Sequence, residues 1–150
     1  MYKYLILFFL LLVPFESYSD DDSISQFVYG YLKRINDFID DEKFEDAQRE
    51  LDIFVRRYFI NEQSYERALI NQLYGNFWAI QGDYEKAIPW YEKSLKFKKM
   101  PLVTGLQVRV GLSQCYFQMS NYSKTIEVLE QYKAIAEQRR LLFPPTYRVM

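Results

Sequence analysis

The sequence predicts an all-α chain of paired helices, and three observations carry that prediction. Apolar residues recur at i, i+3, i+4 and i+7 steps from Ile24 to Ala136. No segment alternates apolar and polar residues for long enough to claim a strand. Three turns each lead into an aromatic residue with a short side chain three positions later: Phe44 with Ala47, Tyr84 with Ala87, and Tyr122 with Thr125. The aromatic-to-aromatic spacings are 40 and 38 residues, the period of a helical hairpin repeated along the chain.

The elements follow in order. A first helix carries Ile24, Phe27, Val28, Tyr31, Leu32, Ile35, Phe38 and Ile39 on one face, with Ser23 and Gln26 as its capping box. The polar turn Asp40-Asp41-Glu42-Lys43 leads to a second helix that turns Phe44, Ala47, Leu51, Phe54, Val55 and Tyr58 inward. Ser64 caps a third helix bearing Leu69, Leu73, Tyr74, Phe77, Trp78 and Ile80, and Gly82-Asp83 breaks it. A fourth helix carries Tyr84, Ala87, Ile88, Tyr91 and Leu95, with Pro89 inside it removing one backbone donor. After the loop Lys98–Pro101, Thr104 and Gln107 suggest a capping box for a fifth helix that packs Val108, Leu112, Cys115, Tyr116 and Met119. Ser120-Asn121 turns into a sixth helix with Tyr122, Ile126, Leu129, Tyr132, Ile135 and Ala136 inward. Pro144-Pro145 stops the pattern, and a further helix begins near 144–150. The units run over about 23–60, 64–99 and 103–140.

Residues 1–19 read as an address. Met1-Tyr2-Lys3 is a short basic start, Tyr4 to Val13 is an unbroken apolar run, and Ser17 and Ser19 are the small residues before the expected cleavage point. Ten apolar residues span about 15 Å as a helix, half of a bilayer core, so a signal peptide is the better reading than an anchor. The mature segment, residues 20–150, then carries no transmembrane span and goes across the inner membrane to the periplasm.

Composition narrows the chemistry. The chain of 150 residues has no His, one Cys (Cys115) and a formal net charge of -1. Absence of His excludes Ser-His-Asp and Cys-His triads and the imidazole general base. One Cys excludes paired-thiol redox motifs, Cys-rich zinc sites and an intramolecular disulfide. Balanced charge argues against a nucleic-acid domain. Asp20-Asp21-Asp22 and Asp40-Asp41-Glu42 are the acidic clusters, and both sit where a helix dipole favours carboxylates. No cofactor or metal site and no catalytic residue is expected. Lys96, Lys98, Lys99 and Arg139-Arg140 complement helix C-termini, and Asn121-Tyr122-Ser123, a glycosylation sequon, is equally a capping turn.

The middle unit is the sharpest. It contains Leu73-Tyr74-Gly75, then Trp78, then Gly82 to Leu95 as GDYEKAIPWYEKSL. With Gly75, Trp78, Gly82, Tyr84, Ala87 and Tyr91 in these places the chain resembles the tetratricopeptide repeat family. The resemblance implies a right-handed superhelical stack of antiparallel helix pairs, about three repeats. Small residues Gly75 and Ala87 would stand at the helix crossing, with Trp78, Tyr84 and Tyr91 beside them. The flanking units match with Phe38, Phe44 and Ala47 in the first and Tyr116 and Tyr122 in the third. They depart from it with Ile35 and Ser113 at the Gly75 position and Thr125 at the Ala87 position. The pattern ends near Met150 without a polar capping helix, which is expected either of a piece of a longer array or of an array whose end is left unprotected.

The resemblance also implies a concave face lined by the first helix of each pair. It places Tyr29, Leu32 and Asn36 there from the first unit, Gln72, Asn76 and Ala79 from the second, and Gln107, Val110, Gln114 and Phe117 from the third. The amides of Asn36, Asn76 and Gln114 recur at one place and can hydrogen-bond an extended peptide. The carboxylate clamp of some family members is incomplete here, since Leu32, Gln72 and Val110 hold the neighbouring positions. The function expected is a non-catalytic scaffold that binds a partner protein or peptide in the cell envelope. A finer likeness, through Met100 to Glu130, is to the periplasmic repeat proteins that accompany TonB-type energy transduction. The alternatives are a docking module of a longer enzyme or receptor continuing beyond Met150, and an assembly factor for the outer membrane or cell wall.

Overall fold

The structure is a computed structural model that describes residues 25–57 and 64–138. The expected leader, Asp20–Asp22, the cap at Ser23, Arg139-Arg140 and the helix near 144–150 lie outside the described residues. Six helices occupy the described chain: α1 (Gln26–Asp40), α2 (Phe44–Arg57), α3 (Tyr65–Ile80), α4 (Tyr84–Leu95), α5 (Leu102–Gln118) and α6 (Tyr122–Gln138). Among the described residues there is no strand.

Local chemistry accounts for the starts. The hydroxyl of Ser25 accepts the Val28 N–H at 3.3 Å, so this residue, two beyond the expected Ser23, caps α1. Ser64 accepts the Arg67 N–H at 3.1 Å, Asp83 accepts that of Lys86 at 3.2 Å, and Asn121 accepts that of Lys124 at 3.2 Å. The fifth helix departs from expectation. It begins at Leu102 after Pro101, with no side-chain cap. Thr104 therefore lies inside the first turn, and its hydroxyl shares a hydrogen bond with that of Tyr65 at 2.9 Å. Pro89 sits on the exposed side of α4, where its missing donor leaves a carbonyl accessible to water, and the helix runs through it.

The three hairpin turns are one motif. In each, the N–H three residues past the helix C-terminus returns to a carbonyl five residues back: Lys43 to Phe38 at 2.8 Å, Asp83 to Trp78 at 3.0 Å, and Asn121 to Tyr116 at 2.9 Å. The residue before each donor is left-handed: Glu42 at φ 59°, Gly82 at φ 79° and Ser120 at φ 58°. This is a Schellman closure, and only the middle copy uses the residue for which that conformation carries no penalty.

Packing follows the hairpins. The Ser94 hydroxyl, near the end of α4, donates to the carbonyl of Ala68, near the start of α3, at 2.7 Å. At the opposite end the ammonium of Lys86 lies 4.4 Å from the Trp78 ring centroid. The two helices are therefore antiparallel. One core joins α1, α2 and α3 through Ile35, Leu51, Phe54, Ile70 and Phe77. A second joins the end of α3 with α4, α5 and α6 through Ala79, Ala87, Tyr91, Val108, Cys115 and Val128. Trp78 packs against both cores. Full burial of side chains such as Phe54, Ile35 and Leu51 contributes about 1.5–3 kcal/mol each.

The outer end differs from expectation. Met119, Tyr122 and Ile126 are assigned inward by periodicity, yet they are 41%, 57% and 56% exposed. Tyr122 is thus not a repeat-packing residue as Tyr84 is, because among the described residues no helix follows α6 as α5 follows α4. Phe27 is also partly exposed, although its ring stands 5.1 Å from that of Tyr31.

Candidate functional face

Two contacts set the first helices of the hairpins side by side. The Ser25 N–H, at the start of α1, donates to the Glu66 carboxylate at the start of α3 at 2.9 Å. Tyr65, also at the start of α3, meets Thr104 in the first turn of α5. Helices α1, α3 and α5 thus begin together, about one repeat apart in sequence. Residues 40 and 38 positions apart occupy the same turn of each: Leu32, Gln72 and Val110 in one row, Asn36, Asn76 and Gln114 in the next.

Most members of these rows are half-buried. Leu32, Asn36, Gln72, Asn76, Gln107, Val110 and Gln114 are in that class, and Tyr29 is exposed. Ala79 is the exception. It is only 7% exposed and belongs to the second core with Ala87 and Val108, so it does not line an open face. Its short side chain lies in the seam between hairpins, as Ile39 does one repeat earlier. Phe117, the third member of that row, is 55% exposed and meets the ring of Tyr122 edge-on at 5.8 Å.

Asn76 is not free on both sides. Its Oδ1 accepts the hydroxyl of Tyr91 at 2.7 Å. That bond also accounts for a buried phenol in the second core. Burial holds the Tyr91 hydroxyl well above its ordinary value, hence protonated and able to donate. The row is otherwise uncharged, so what it offers chemically is amide donors and acceptors beside apolar side chains.

The groups with other chemistry to offer are engaged elsewhere. Burial pushes the Cys115 thiol up to about 12, which removes the thiolate at neutral pH. Within the acidic cluster, Asp41 pairs with Lys43 at 2.8 Å and Glu42 holds the left-handed turn position. Burial, then the neighbouring Asp37 and Asp41, raise the Asp40 carboxyl. Among the described residues no group of three or more Cys, Asp or Glu is placed to hold a metal ion. A shallow depression of about 360 Å³ along α2 is lined by Glu45, Gln48, Arg49, Asp52, Ile53 and Arg56. Asp52 there accepts the hydroxyl of Tyr74 at 3.0 Å.

Sequence reasoning missed one of the two glycine-dependent contacts of Tyr91. A β-carbon at Gly75 would stand 2.7 Å from the Tyr91 ring, as a crossing position implies, but one at Gly111 would stand 2.8 Å from the same ring. The signal for Gly111 was a glycine in the interior of an apolar helix. Buried Ser94 was missed because its carbonyl partner on α3 is distant in sequence.

No helix among the described residues is long and apolar enough to cross a membrane. Comparison of the chain with protein-family models, curated proteins and solved structures found no match.

Proposed function

We propose that the protein is a non-catalytic scaffold of the tetratricopeptide type, a superhelical stack of three hairpins that presents the α1–α3–α5 face to a partner protein or extended peptide. The observation that carries this reading is the side-by-side start of α1, α3 and α5 through Ser25–Glu66 and Tyr65–Thr104. Neighbouring packed helices lie about 8–10 Å apart, so a chain crossing all three spans about 20 Å, or six extended residues. Asn36, Asn76 and Gln114 would meet its backbone at regular intervals, giving orientation without charge. Leu32, Val110 and Tyr29 would take its side chains. The setting proposed is the periplasm after removal of residues 1–19, and the partner proposed is a component of TonB-type energy transduction.

The test is capture from a periplasmic extract, with and without Asn36→Ala combined with Gln114→Ala. Recovery of TonB-complex components that drops about tenfold in the double variant, at unchanged melting temperature, supports the reading. Equal recovery removes the face from consideration, and recovery of wall or outer-membrane assembly machinery reassigns the partner. Asn76 is left intact in this test because its bond to Tyr91 gives it a structural role.

A further inference from the structure

The lysines of the described residues divide into two sets. Lys33, Lys43, Lys86, Lys124 and Lys133 each reach a carboxylate within 3.8 Å. Lys93 lies 4.2 Å from the Trp90 ring centroid. Lys96, Lys98 and Lys99 stand together between α4 and α5, are exposed, and pair with no carboxylate among the described residues.

Helix dipoles account for only the first of these three. Lys96 closes α4, where a cation is favoured. Lys98 and Lys99 stand just ahead of α5, which begins at Leu102 with no side-chain cap, and a cation beside that positive end is disfavoured. The turn is anchored by its other residues. The Phe97 ring stacks on that of Tyr65 with centroids 6.2 Å apart, Met100 packs against the second core and Pro101 is buried. Arg109 lies behind the turn: its Nη1 and the Met100 sulfur stand 3.4 and 3.5 Å from the place of a β-carbon on Gly105. Arg109 is half-buried, and Nη1 donates to the Gly105 carbonyl at 3.0 Å, but no carboxylate pairs with it among the described residues. Val103, beside the turn, is 42% exposed. Glu66, next to Tyr65, is turned to α1, where it accepts the Ser25 N–H. The corner thus holds four cationic groups outside any ion pair, next to an exposed apolar side chain.

We infer that Lys96, Lys98 and Lys99, with Val103 beside them, dock the protein on an anionic phospholipid surface. The whole chain has a net charge of -1, so attraction to a negative surface has to come from a local patch. Ammonium groups are compact point charges without the planar fork that matches a single carboxylate, and three of them on one exposed turn suit a field of phosphate headgroups. Each lysine near such a surface strengthens partitioning about fivefold. Val103 adds an apolar contact at headgroup depth. The turn is separate from the amide rows and does not depend on their use.

The test is co-sedimentation of the full chain with vesicles of mixed phosphatidylglycerol and phosphatidylcholine. Vesicles of phosphatidylcholine alone measure what the apolar run Tyr4 to Val13 contributes by itself. Lys96→Gln, Lys98→Gln and Lys99→Gln together should weaken binding to the anionic vesicles by about tenfold or more and leave binding to the neutral ones unchanged. Lys33→Gln, Lys43→Gln and Lys124→Gln together remove the same charge from paired positions and should leave both unchanged. All six positions are exposed, so the fold is retained. The difference between the native chain and the turn variant should vanish at about 0.5 M salt. A loss below tenfold in the turn variant, an equal loss in the paired-lysine variant, or a loss that persists in high salt overturns the proposal. Lysine-dependent binding to polyglutamate without preference for anionic over neutral vesicles assigns the corner to an acidic protein segment instead.

Discussion

Tyr91 and Gly111 meet across the α4–α5 seam so closely that a β-carbon on Gly111 would lie 2.8 Å from Cζ and 2.9 Å from the hydroxyl oxygen of the tyrosine. The same ring fills the space beside Gly75 on α3. One side chain therefore sets the approach of two hairpins, and both helices carry glycine where it lies.

The sign of a glycine substitution should follow from this. Gly75→Ala and Gly111→Ala are expected to destabilise by about 1–3 kcal/mol, since the ring is fully buried and has nowhere to move. Gly30→Ala, with open space around it on α1, should stabilise by about 0.5–1 kcal/mol through helix propensity. Urea unfolding of the three variants checks it. Stabilisation at Gly111 would mean that the seam is not packed as described.

The hydroxyl of Tyr91 tests the second half of the arrangement. Tyr91→Phe removes the donor to Asn76 and should cost about 0.5–1.5 kcal/mol. Combined with Asn76→Ala, the loss should be less than the sum of the two single losses. Additive losses in thermal melts would show that the bond contributes nothing.

The turns offer a stabilising prediction. Glu42 and Ser120 hold the left-handed position that Gly82 holds in the middle hairpin. Glu42→Gly and Ser120→Gly are each expected to raise stability by about 0.5–1 kcal/mol, and Gly82→Ala to lower it by about 1 kcal/mol. Denaturant midpoints that fall in the glycine variants would count against the shared closure.

Stability should fall in alkali. The Cys115 thiol is pushed by burial from its ordinary 9.0 to about 12, and the Tyr91 and Tyr74 hydroxyls are also raised, chiefly by burial. A folded pKa above the unfolded one means that the folded state holds the proton longer. Stability is therefore intact below pH 9 and is lost above it, by about 1.4 kcal/mol per pH unit for the thiol alone up to pH 12. Urea midpoints between pH 7 and 11 should bend downward near pH 9, and Cys115→Ala should move the bend toward pH 10, where tyrosines begin to ionise. A midpoint flat from pH 9 to 10 in the unaltered chain would show that the thiol is not buried.

The candidate face was legible in part. Asn36, Asn76 and Gln114 could be aligned because the turn residues that count the repeat, Phe44, Tyr84 and Tyr122, are local signals. That Asn76 is held from behind by Tyr91, and that Ala79 is closed into a seam, could not be, because each depends on a neighbour 15 or more residues away in sequence or on another hairpin.

By itself the sequence determined the helices and the three turns, since apolar periodicity and turn residues act within a few positions. The Phe44–Ala47, Tyr84–Ala87 and Tyr122–Thr125 pattern needs no tertiary information to be seen. Tertiary structure decided which apolar faces are covered. Tyr84 and Tyr122 occupy the same place in their hairpins, yet one is packed and the other is 57% exposed. Among the described residues a following helix lies against the first and not against the second, and burial is a property of neighbours that periodicity within one helix does not contain.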